Sequence, residues 1–192
     1  ALGRVATAQP EIQFVLAHKA DCSVALEALR AGRLPLRVTH NDTKINNILF
    51  DKQGEVLCAI DLDTVMASTS LNDFGDAIRS YANTGDEDDR DLSRVGLSLE
   101  MFRAYTEGYL SQRAKQLTDS EIDHLAFSAR YITFEQVLRF LMDYIDGDTY
   151  YKTKYPEHNL VRTRAQYKLL QSMEEQYGTM CEIVRETVAK YK

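Results

Sequence analysis

The sequence predicts a mostly helical α+β fold, and three observations lead to this class. Apolar residues recur at helical spacing over most of the chain beyond residue 70. A single region, roughly residues 34–64, reads instead as short strands separated by turn residues. The chain has 192 residues, of which 44% are hydrophobic, so it can bury the core of one domain or of one lobe of a larger enzyme.

The first elements are helical. Residues 9–31 are expected to form one helix or two helices in succession, with Pro10 in the first turn and Gly32 at the end. Residues 34–40 are expected to be extended, because Pro35 disfavours a helical residue before it.

A β-hairpin is expected next. The apolar stretches "NILF" and "EVLCAIDL" flank the turn sequence "DKQG", which places Gly54 in the turn. Cys58 lies in the returning strand and is expected to face the core. The returning strand ends at "AIDLDT", residues 59–64, so the hairpin brings this segment back beside the start of the first strand.

The remainder is expected to be helical. Thr118 followed by Glu121 predicts a capping box, in which each residue satisfies a backbone N–H at a helix start. Helices are expected at about 71–83, 97–115, 119–146 and 158–190, with loops at 85–91 and 146–159.

Composition excludes several classes of protein. The net charge is −6 and no Lys/Arg cluster stands out, which argues against nucleic acid or an anionic membrane as the partner. No apolar run approaches the roughly 20 residues of a membrane span. Three widely spaced cysteines suggest reduced thiols in a cytoplasmic protein. Because the sequence begins with Ala1 and not Met, we expect it to start inside a longer gene product.

The segment "THNDTKINNILFD", residues 39–51, carries an unusual set of polar residues before a strand. Asp42 lies in a turn, Asn47 follows five residues later, and Asp61 closes the returning strand. Phosphoryl transfer uses this order: the first Asp accepts the proton of the substrate hydroxyl, and the Asn and the later Asp hold Mg²⁺ against the nucleotide phosphates. Amide and carboxylate oxygens suit Mg²⁺ because it prefers hard oxygen ligands. The sequence therefore predicts a kinase site at the base of the hairpin.

These residues also carry a resemblance. "HNDTKINN" resembles the H-x-D-x-x-x-x-N loop of the aminoglycoside phosphotransferase and choline kinase superfamily, relatives of protein kinases, and "IDLDT" resembles its metal-binding segment. Together with "NDFGDAIRSYAN" and "RFLMDYIDGDTYYKTKYPEHNLVR", the pattern is most similar to N-acetylhexosamine 1-kinases. The resemblance runs from about residue 10 to the final helix. It implies a protein-kinase-like C-terminal lobe with a short β-hairpin at the catalytic loop.

The resemblance assigns roles to the loop residues. Asp42 would be the catalytic base, and His40 would orient the loop. Asn47 and Asp61 would be the metal ligands, with Asp63 as a second-metal or supporting partner. A plain turn-capping role stays open for Asp61 and Asp63, since Asp favours such positions.

Other residues are placed less directly. Lys44 occupies the position at which protein kinases carry a phosphate-contacting Lys, whereas aminoglycoside enzymes usually have His there. The "DFG" at 73–75 is not taken as the metal-binding motif, because it lies on an expected helix; Asp73 and Asp76 are expected to cap that helix and brace it against the catalytic loop.

The substrate side is inferred from the same resemblance. Arg139 is placed near the sugar or the transferred phosphate, with Asp143 as a second substrate-binding residue. The alternative is that Asp143, four residues further along the helix, merely pairs with Arg139.

The function implied is ATP-dependent, Mg²⁺-dependent phosphorylation of a sugar, at the anomeric hydroxyl of an N-acetylhexosamine. Two alternatives stay open: a related kinase for an aminoglycoside, choline or another sugar, and a non-catalytic binding module. No Gly-rich loop or strand Lys of a nucleotide-binding N-lobe occurs in the sequence, so residues 1–192 are expected to form the C-terminal catalytic lobe alone. That lobe by itself is expected to be inactive.

Overall fold

The computed structural model describes residues 3–192. Three helices open the chain, four short strands lie between residues 37 and 68, and helices form the rest. The helices are α1 (Arg4–Thr7), α2 (Gln9–Ala17), α3 (Asp21–Arg30), α4 (Ser70–Tyr81), α5 (Leu99–Arg113), α6 (Asp119–Asp123), α7 (Leu125–Asp146), α8 (His158–Glu175) and α9 (Tyr177–Tyr191). The strands are β1 (Arg37–Thr39), β2 (Ile48–Phe50), β3 (Val56–Ala59) and β4 (Met66–Ser68). This architecture confirms the predicted mostly helical α+β class.

The strands form two small antiparallel sheets. β2 pairs with β3 in the predicted hairpin, and Gly54 adopts φ 89° in its turn. β1 pairs with β4, with Val38 opposite Ala67, so the catalytic loop and the hairpin are enclosed between these two strands. The sequence did not indicate β4.

The core lies among the long helices. Its fully buried side chains include Phe74, Phe102, Leu125, Leu169 and Met180, which belong to α4, α5, α7, α8 and α9. The two central helices, α4 and α7, approach very closely where α4 carries a glycine. A Cβ on Gly75 would lie 2.4 Å from the carbonyl oxygen of Ser128. One of these two helices, α4, also contacts the loop between β1 and β2 through Asp73.

Two of the expected long helices, those at 119–146 and 158–190, are each broken once. The predicted helix 119–146 ends as α6 and restarts as α7 after His124, whose ring Nδ1 lies 2.7 Å from the carbonyl oxygen of Ser120. The predicted helix 158–190 is divided at Gln176, whose amide donates to the carbonyl oxygen of Leu97 in another segment. Neither break contains Gly or Pro, and the single-helix predictions were wrong for both regions. The contact at His124 is local, whereas the one at Gln176 joins the helix end to a distant segment.

The other helices agree with expectation. Residues 9–31 form two helices in succession, and α4 and α5 occupy the regions predicted as 71–83 and 97–115. The capping box of α6 is present, with Thr118 and Glu121 each satisfying the other's backbone N–H.

Glu121 also joins three parts of the fold. Its buried carboxylate accepts two hydrogen bonds from the Arg37 guanidinium of β1, at 3.0 and 2.8 Å, and one from the Ser70 hydroxyl of α4 at 2.8 Å. Burial alone would raise the pKa of Glu121, but the hydrogen bonds from Arg37, Thr118 and Ser70 outweigh it and lower that pKa to about 2.

The hairpin region, residues 36–66, exposes apolar side chains. Val38 is 84% exposed and Leu57 is 63% exposed. Cys58 is exposed as well, so its predicted core position was wrong; the hairpin packs little of its surface against the helices. The exposed apolar residues of this hairpin region are Leu36, Val38, Ile45, Leu49, Phe50, Val56, Leu57, Ile60, Leu62, Val65 and Met66.

Within residues 3–192, no helix combines the length and the apolar character that crossing a membrane requires.

Candidate active site

The catalytic loop, residues 40–47, is held by hydrogen bonds to Asp73 of α4. The Asp73 carboxylate accepts hydrogen bonds from the backbone N–H groups of His40 and Asn41, at 3.1 and 2.8 Å. Asn41 has φ 62°, in the left-handed region that asparagine adopts more readily than most other non-glycine residues. The Thr43 hydroxyl donates to the Asp73 carbonyl oxygen at 2.7 Å. Asp73 therefore braces the loop as expected, whereas no side chain caps the start of α4.

Two side chains of the catalytic loop donate hydrogen bonds to the carboxylate of Asp42. Its Oδ2 accepts hydrogen bonds from Lys44 Nζ at 2.7 Å and from Asn47 Nδ2 at 2.9 Å. Burial alone would raise the pKa of Asp42, but these two donors outweigh it and hold that pKa below its usual value. The carboxylate is therefore ionised at neutral pH and available as a proton acceptor.

Asn47 links the loop to the returning strand. It is buried, and its side-chain nitrogen also donates to the Asp42 carbonyl oxygen at 2.9 Å. Its own carbonyl oxygen accepts from the backbone N–H of Ile60 at 2.9 Å, which fixes the residue just before Asp61. The amide nitrogen is thus occupied, and the amide oxygen is the atom of Asn47 that suits a cation.

His40 fixes the same junction from the other side. Its ring Nε2 lies 2.9 Å from the Ile60 carbonyl oxygen, and its own carbonyl oxygen accepts from the Thr64 hydroxyl at 2.6 Å. Asn41 donates from its side chain to the Thr64 carbonyl oxygen at 3.0 Å. The loop and the segment containing Asp61 and Asp63 therefore form one hydrogen-bonded unit, as the order of residues predicted.

Asp61 and Asp63 present exposed carboxylates beside this unit. Asp61 adopts φ 62°, which tilts it out of the strand direction. Neither carboxylate forms an ion pair with a side chain of residues 3–192. Both line one cavity together with Asp42 and Lys44.

The donor set fits a hard cation that brings other ligands with it. Within residues 3–192, no three His, Cys, Asp or Glu side chains are grouped to hold a metal ion by themselves. The Asn47 amide oxygen and the Asp61 carboxylate offer the oxygen chemistry of Mg²⁺, which usually keeps several waters and takes substrate phosphates as ligands.

The cavity has a volume of about 440 Å³, and its far wall comes from α7, α8 and the loop between them. Arg139, exposed on α7, places its guanidinium 5.6 Å from the ring centre of Tyr151 and 5.8 Å from that of Tyr150. The guanidinium carbon of Arg162, on α8, lies 5.4 Å from the ring centre of Phe140 and 6.0 Å from that of Tyr151. Cationic and aromatic groups thus face the acidic catalytic loop across the cavity.

Asp143 does not pair with Arg139, so that simple explanation of Arg139 was wrong. The buried carboxylate of Asp143 accepts hydrogen bonds from the backbone N–H groups of Thr149, Tyr150 and Tyr151, at 2.8, 2.8 and 3.0 Å. Burial alone would raise the pKa of Asp143, but these backbone N–H donors outweigh it and lower that pKa. These bonds give Asp143 the role of shaping the loop of residues 147–157, the tyrosine loop, and its contact with substrate stays a prediction.

The sequence did not single out two arginines that the structure brings to the cavity. Arg79 is buried and binds Asp76 at 2.8 Å and Glu87 at 2.9 Å, and its spacing to Asp76 on α4 could have revealed it. Arg162 lies on a largely polar helix and had no such signal.

An ionised Asp in a braced loop, an Asn five residues on and an Asp at the end of the returning strand form the arrangement that phosphoryl transfer uses. The chain belongs to the phosphotransferase enzyme family, whose model matches residues 4–114, more than half of the chain. The matched part contains the catalytic loop, the hairpin, α4 and α5. The activity of this class is ATP-dependent transfer of a phosphoryl group to the hydroxyl of a small molecule.

Proposed function

We propose that the protein is a sugar kinase that transfers the γ-phosphoryl group of ATP to the anomeric hydroxyl of an N-acetylhexosamine. The observation that carries the catalytic part is the pair of hydrogen bonds from Lys44 and Asn47 to Asp42 Oδ2, in a cavity shared with Asp61. The sugar assignment rests on the resemblance together with the aromatic and hydrogen-bonding wall of that cavity.

In the proposed reaction, Asp42 orients the acceptor hydroxyl and takes its proton. The acceptor oxygen forms a bond to the γ-phosphorus while the bond from that phosphorus to the β–γ bridging oxygen breaks, and ADP leaves with the bridging electron pair. Lys44 lies against Asp42 and can contact the phosphoryl oxygens. Asn47, Asp61 and, as a supporting group, Asp63 would hold Mg²⁺, whose charge would offset the negative charge of the phosphates.

The opposite wall supports a neutral, ring-shaped acceptor. Tyr150 and Tyr151 can stack on the apolar face of a sugar ring. Arg139 and Arg162 next to them disfavour the cationic groups of choline or an aminoglycoside at that end of the cavity. Arg139 can donate hydrogen bonds to sugar hydroxyls or to the transferred phosphate.

We also propose that residues 1–192 are the C-terminal catalytic lobe and that an N-lobe covers the nucleotide. The exposed apolar residues of the hairpin region support this, because such a surface normally contacts another part of a protein. Positioning supplies much of the rate in phosphoryl transfer, so residues 1–192 alone are expected to bind sugar weakly and to show no kinase activity. The free thiols Cys22 and Cys58 on the surface support a reducing, cytoplasmic location.

The test is a phosphorylation screen of the full-length protein with ATP and Mg²⁺ against N-acetylhexosamines, other sugars, aminoglycosides and choline. Asp42→Asn should lower turnover by about 10²–10⁴-fold, because it removes the proton acceptor while keeping the shape of the side chain. The matched control is Asp123→Asn, an exposed acid on α6, which should leave turnover unchanged. Turnover of an aminoglycoside or choline in place of a sugar would contradict the acceptor assignment, and normal turnover by a folded Asp42→Asn variant would contradict the catalytic role.

A further inference from the structure

A second cavity adjoins the proposed active site. Its volume is about 320 Å³, and it shares Lys44, Arg79 and Glu87 with the first cavity. Asp42 is not part of its wall. A molecule that reached both cavities would present one group to Asp42 and other groups to the second cavity.

Gln166 of α8 lines this second cavity in an unusual state. The residue is 1% exposed, and neither its Nε2 nor its Oε1 has a hydrogen-bond partner in the protein. Leaving a buried polar atom without a partner is unfavourable, so the two atoms of this side chain can gain stability from hydrogen bonds with a bound molecule. Arg162, one helical turn earlier on the same face of α8, likewise has a buried Nε without a partner and lines the first cavity.

The two free atoms of Gln166 restrict the chemistry of that ligand. The nitrogen must donate and the oxygen must accept, side by side in one plane. A phosphate offers acceptors alone and would leave the Gln166 oxygen unsatisfied. A secondary amide such as an acetamido group is planar and trans, so its N–H and C=O point in opposite directions and cannot both meet one carboxamide. Two adjacent hydroxyl groups fit, because each can donate or accept.

We propose that Gln166 binds two adjacent hydroxyl groups of the acceptor sugar, separate from the hydroxyl that faces Asp42. This rests on the proposed function and adds to it a requirement for a vicinal diol, which choline lacks. The Gln166 nitrogen donates to one hydroxyl oxygen, and the neighbouring hydroxyl donates to the Gln166 oxygen. Gln166 is therefore a specificity-determining residue on the helix that follows the tyrosine loop.

The experiment uses the 192-residue chain and saturation-transfer NMR titrations with N-acetylglucosamine and with analogues that each lack one hydroxyl. Gln166→Met keeps the length of the side chain and removes both polar atoms, so the dissociation constant should rise about tenfold. For the analogue that lacks a paired hydroxyl, the parent chain should already bind weakly, and the substitution should add little further loss. Gln166→Glu should bind within about threefold of the parent, because both hydroxyls can donate to a carboxylate.

Thermal unfolding provides a second measurement that a purely structural role would move in the opposite direction. Because Gln166→Met removes two unpaired buried polar atoms, it should raise the Tm of the unliganded chain while weakening sugar binding. Gln171→Met, on the same helix but lining neither cavity, is the matched control and should leave sugar binding unchanged.

Several outcomes would overturn the proposal. Equal sugar binding by Gln166→Met and the control would mean that water alone fills the second cavity. A lowered Tm, or the same loss of affinity for every analogue, would make Gln166 a packing residue. A full-length protein that phosphorylates sugars normally with Gln166→Met would contradict this inference alone, whereas a protein that neither binds nor phosphorylates any sugar would contradict the proposed function with it.

Discussion

The helical body and the hairpin region contain the same kinds of apolar side chains in opposite environments. In the body, Phe74, Leu169 and Met180 are completely buried among five helices. In the hairpin region, Val38 and Leu57 are mostly in water. The body therefore has a core of its own, and the hairpin region does not.

The hairpin region is instead joined to the body through polar contacts. Asp73 holds the catalytic loop, and Arg37 pairs with Glu121 across a distance of 84 residues in the sequence. Hydrogen bonds and ion pairs of this kind depend on pH and geometry more than apolar burial does. The two regions should therefore respond to different perturbations.

The largest difference is expected from removing a leucine side chain in each region. Leu169→Ala leaves a cavity in the body and should lower the free energy of unfolding by about 2–5 kcal/mol. Leu57→Ala removes a side chain that is already exposed, and it should change the free energy of unfolding by less than about 0.5 kcal/mol. Urea unfolding followed by circular dichroism measures both. Similar losses for the two variants would mean that the hairpin region is packed as tightly as the body.

A smaller effect is expected from adding one methyl group inside the body. Gly75→Ala brings a Cβ against the Ser128 carbonyl oxygen and should lower the free energy of unfolding by about 1–3 kcal/mol. Gly108→Ala, on α5 with open space around it, should raise it by up to about 1 kcal/mol through helix propensity. Thermal unfolding of the pair distinguishes close packing from a general effect of glycine. A Gly75→Ala protein as stable as its Gly108→Ala counterpart would show that α4 and α7 can separate at little cost.

The connection between the regions should fail in acid. The pKa of Glu121 is lowered on folding to about 2, so the ionised carboxylate stabilises the folded chain above its ordinary pKa near 4.5, and this contribution is lost as the pH falls towards 2. Glu121→Gln should lower the free energy of unfolding at neutral pH by about 2 kcal/mol and flatten its dependence on pH in that window.

Urea titrations between pH 2 and 7 measure the effect, with Glu100→Gln as an exposed control on α5. A Glu121→Gln protein whose stability declines in acid as steeply as the parent's would place the acid-sensitive contact elsewhere.

The smallest effect on stability is expected within the catalytic loop. Lys44→Met removes the strongest donor that lowers the pKa of Asp42, so that pKa should rise and the acidic limb of kcat/KM should move to higher pH. Lys44 is partly exposed, and the free energy of unfolding should change by less than about 0.5 kcal/mol. A pH–rate profile of the full-length protein and an NMR titration of the Asp42 carboxyl give the two readings. An unchanged acidic limb would assign that limb to another group.

Local signals in the sequence were sufficient for the elements that depend on a few neighbouring residues. The turn at Gly54, the capping box at Thr118 and the spacing of Asp42 and Asn47 each follow from chemistry within a handful of positions. The break at Gln176 was not predictable, because its partner, the Leu97 carbonyl oxygen, lies 79 residues away. The exposure of Cys58 was hidden for a related reason, since an apolar strand looks the same in sequence whichever surface covers it.

The substrate side of the site was the least predictable. Arg139 was assigned to the substrate side through resemblance, and that role stays a prediction. The contacts of Asp143 with three backbone N–H groups of the following loop could not be derived from the sequence. Gln166 was identified only because the two polar atoms of its buried side chain have no hydrogen-bond partner in the protein. A sequence records which polar groups exist, and the fold decides which of them are left without partners.

The contacts of Glu121 also imply an order of assembly during folding. Its capping box closes over three residues and can form as soon as α6 begins to coil, whereas its bond to Ser70 closes a loop of 51 residues and its bonds to Arg37 a loop of 84. Longer loops cost more chain entropy to close, so the helical nucleus should form before β1 docks onto it. The catalytic loop, which follows β1 directly, would then be among the last parts of the chain to reach its native geometry.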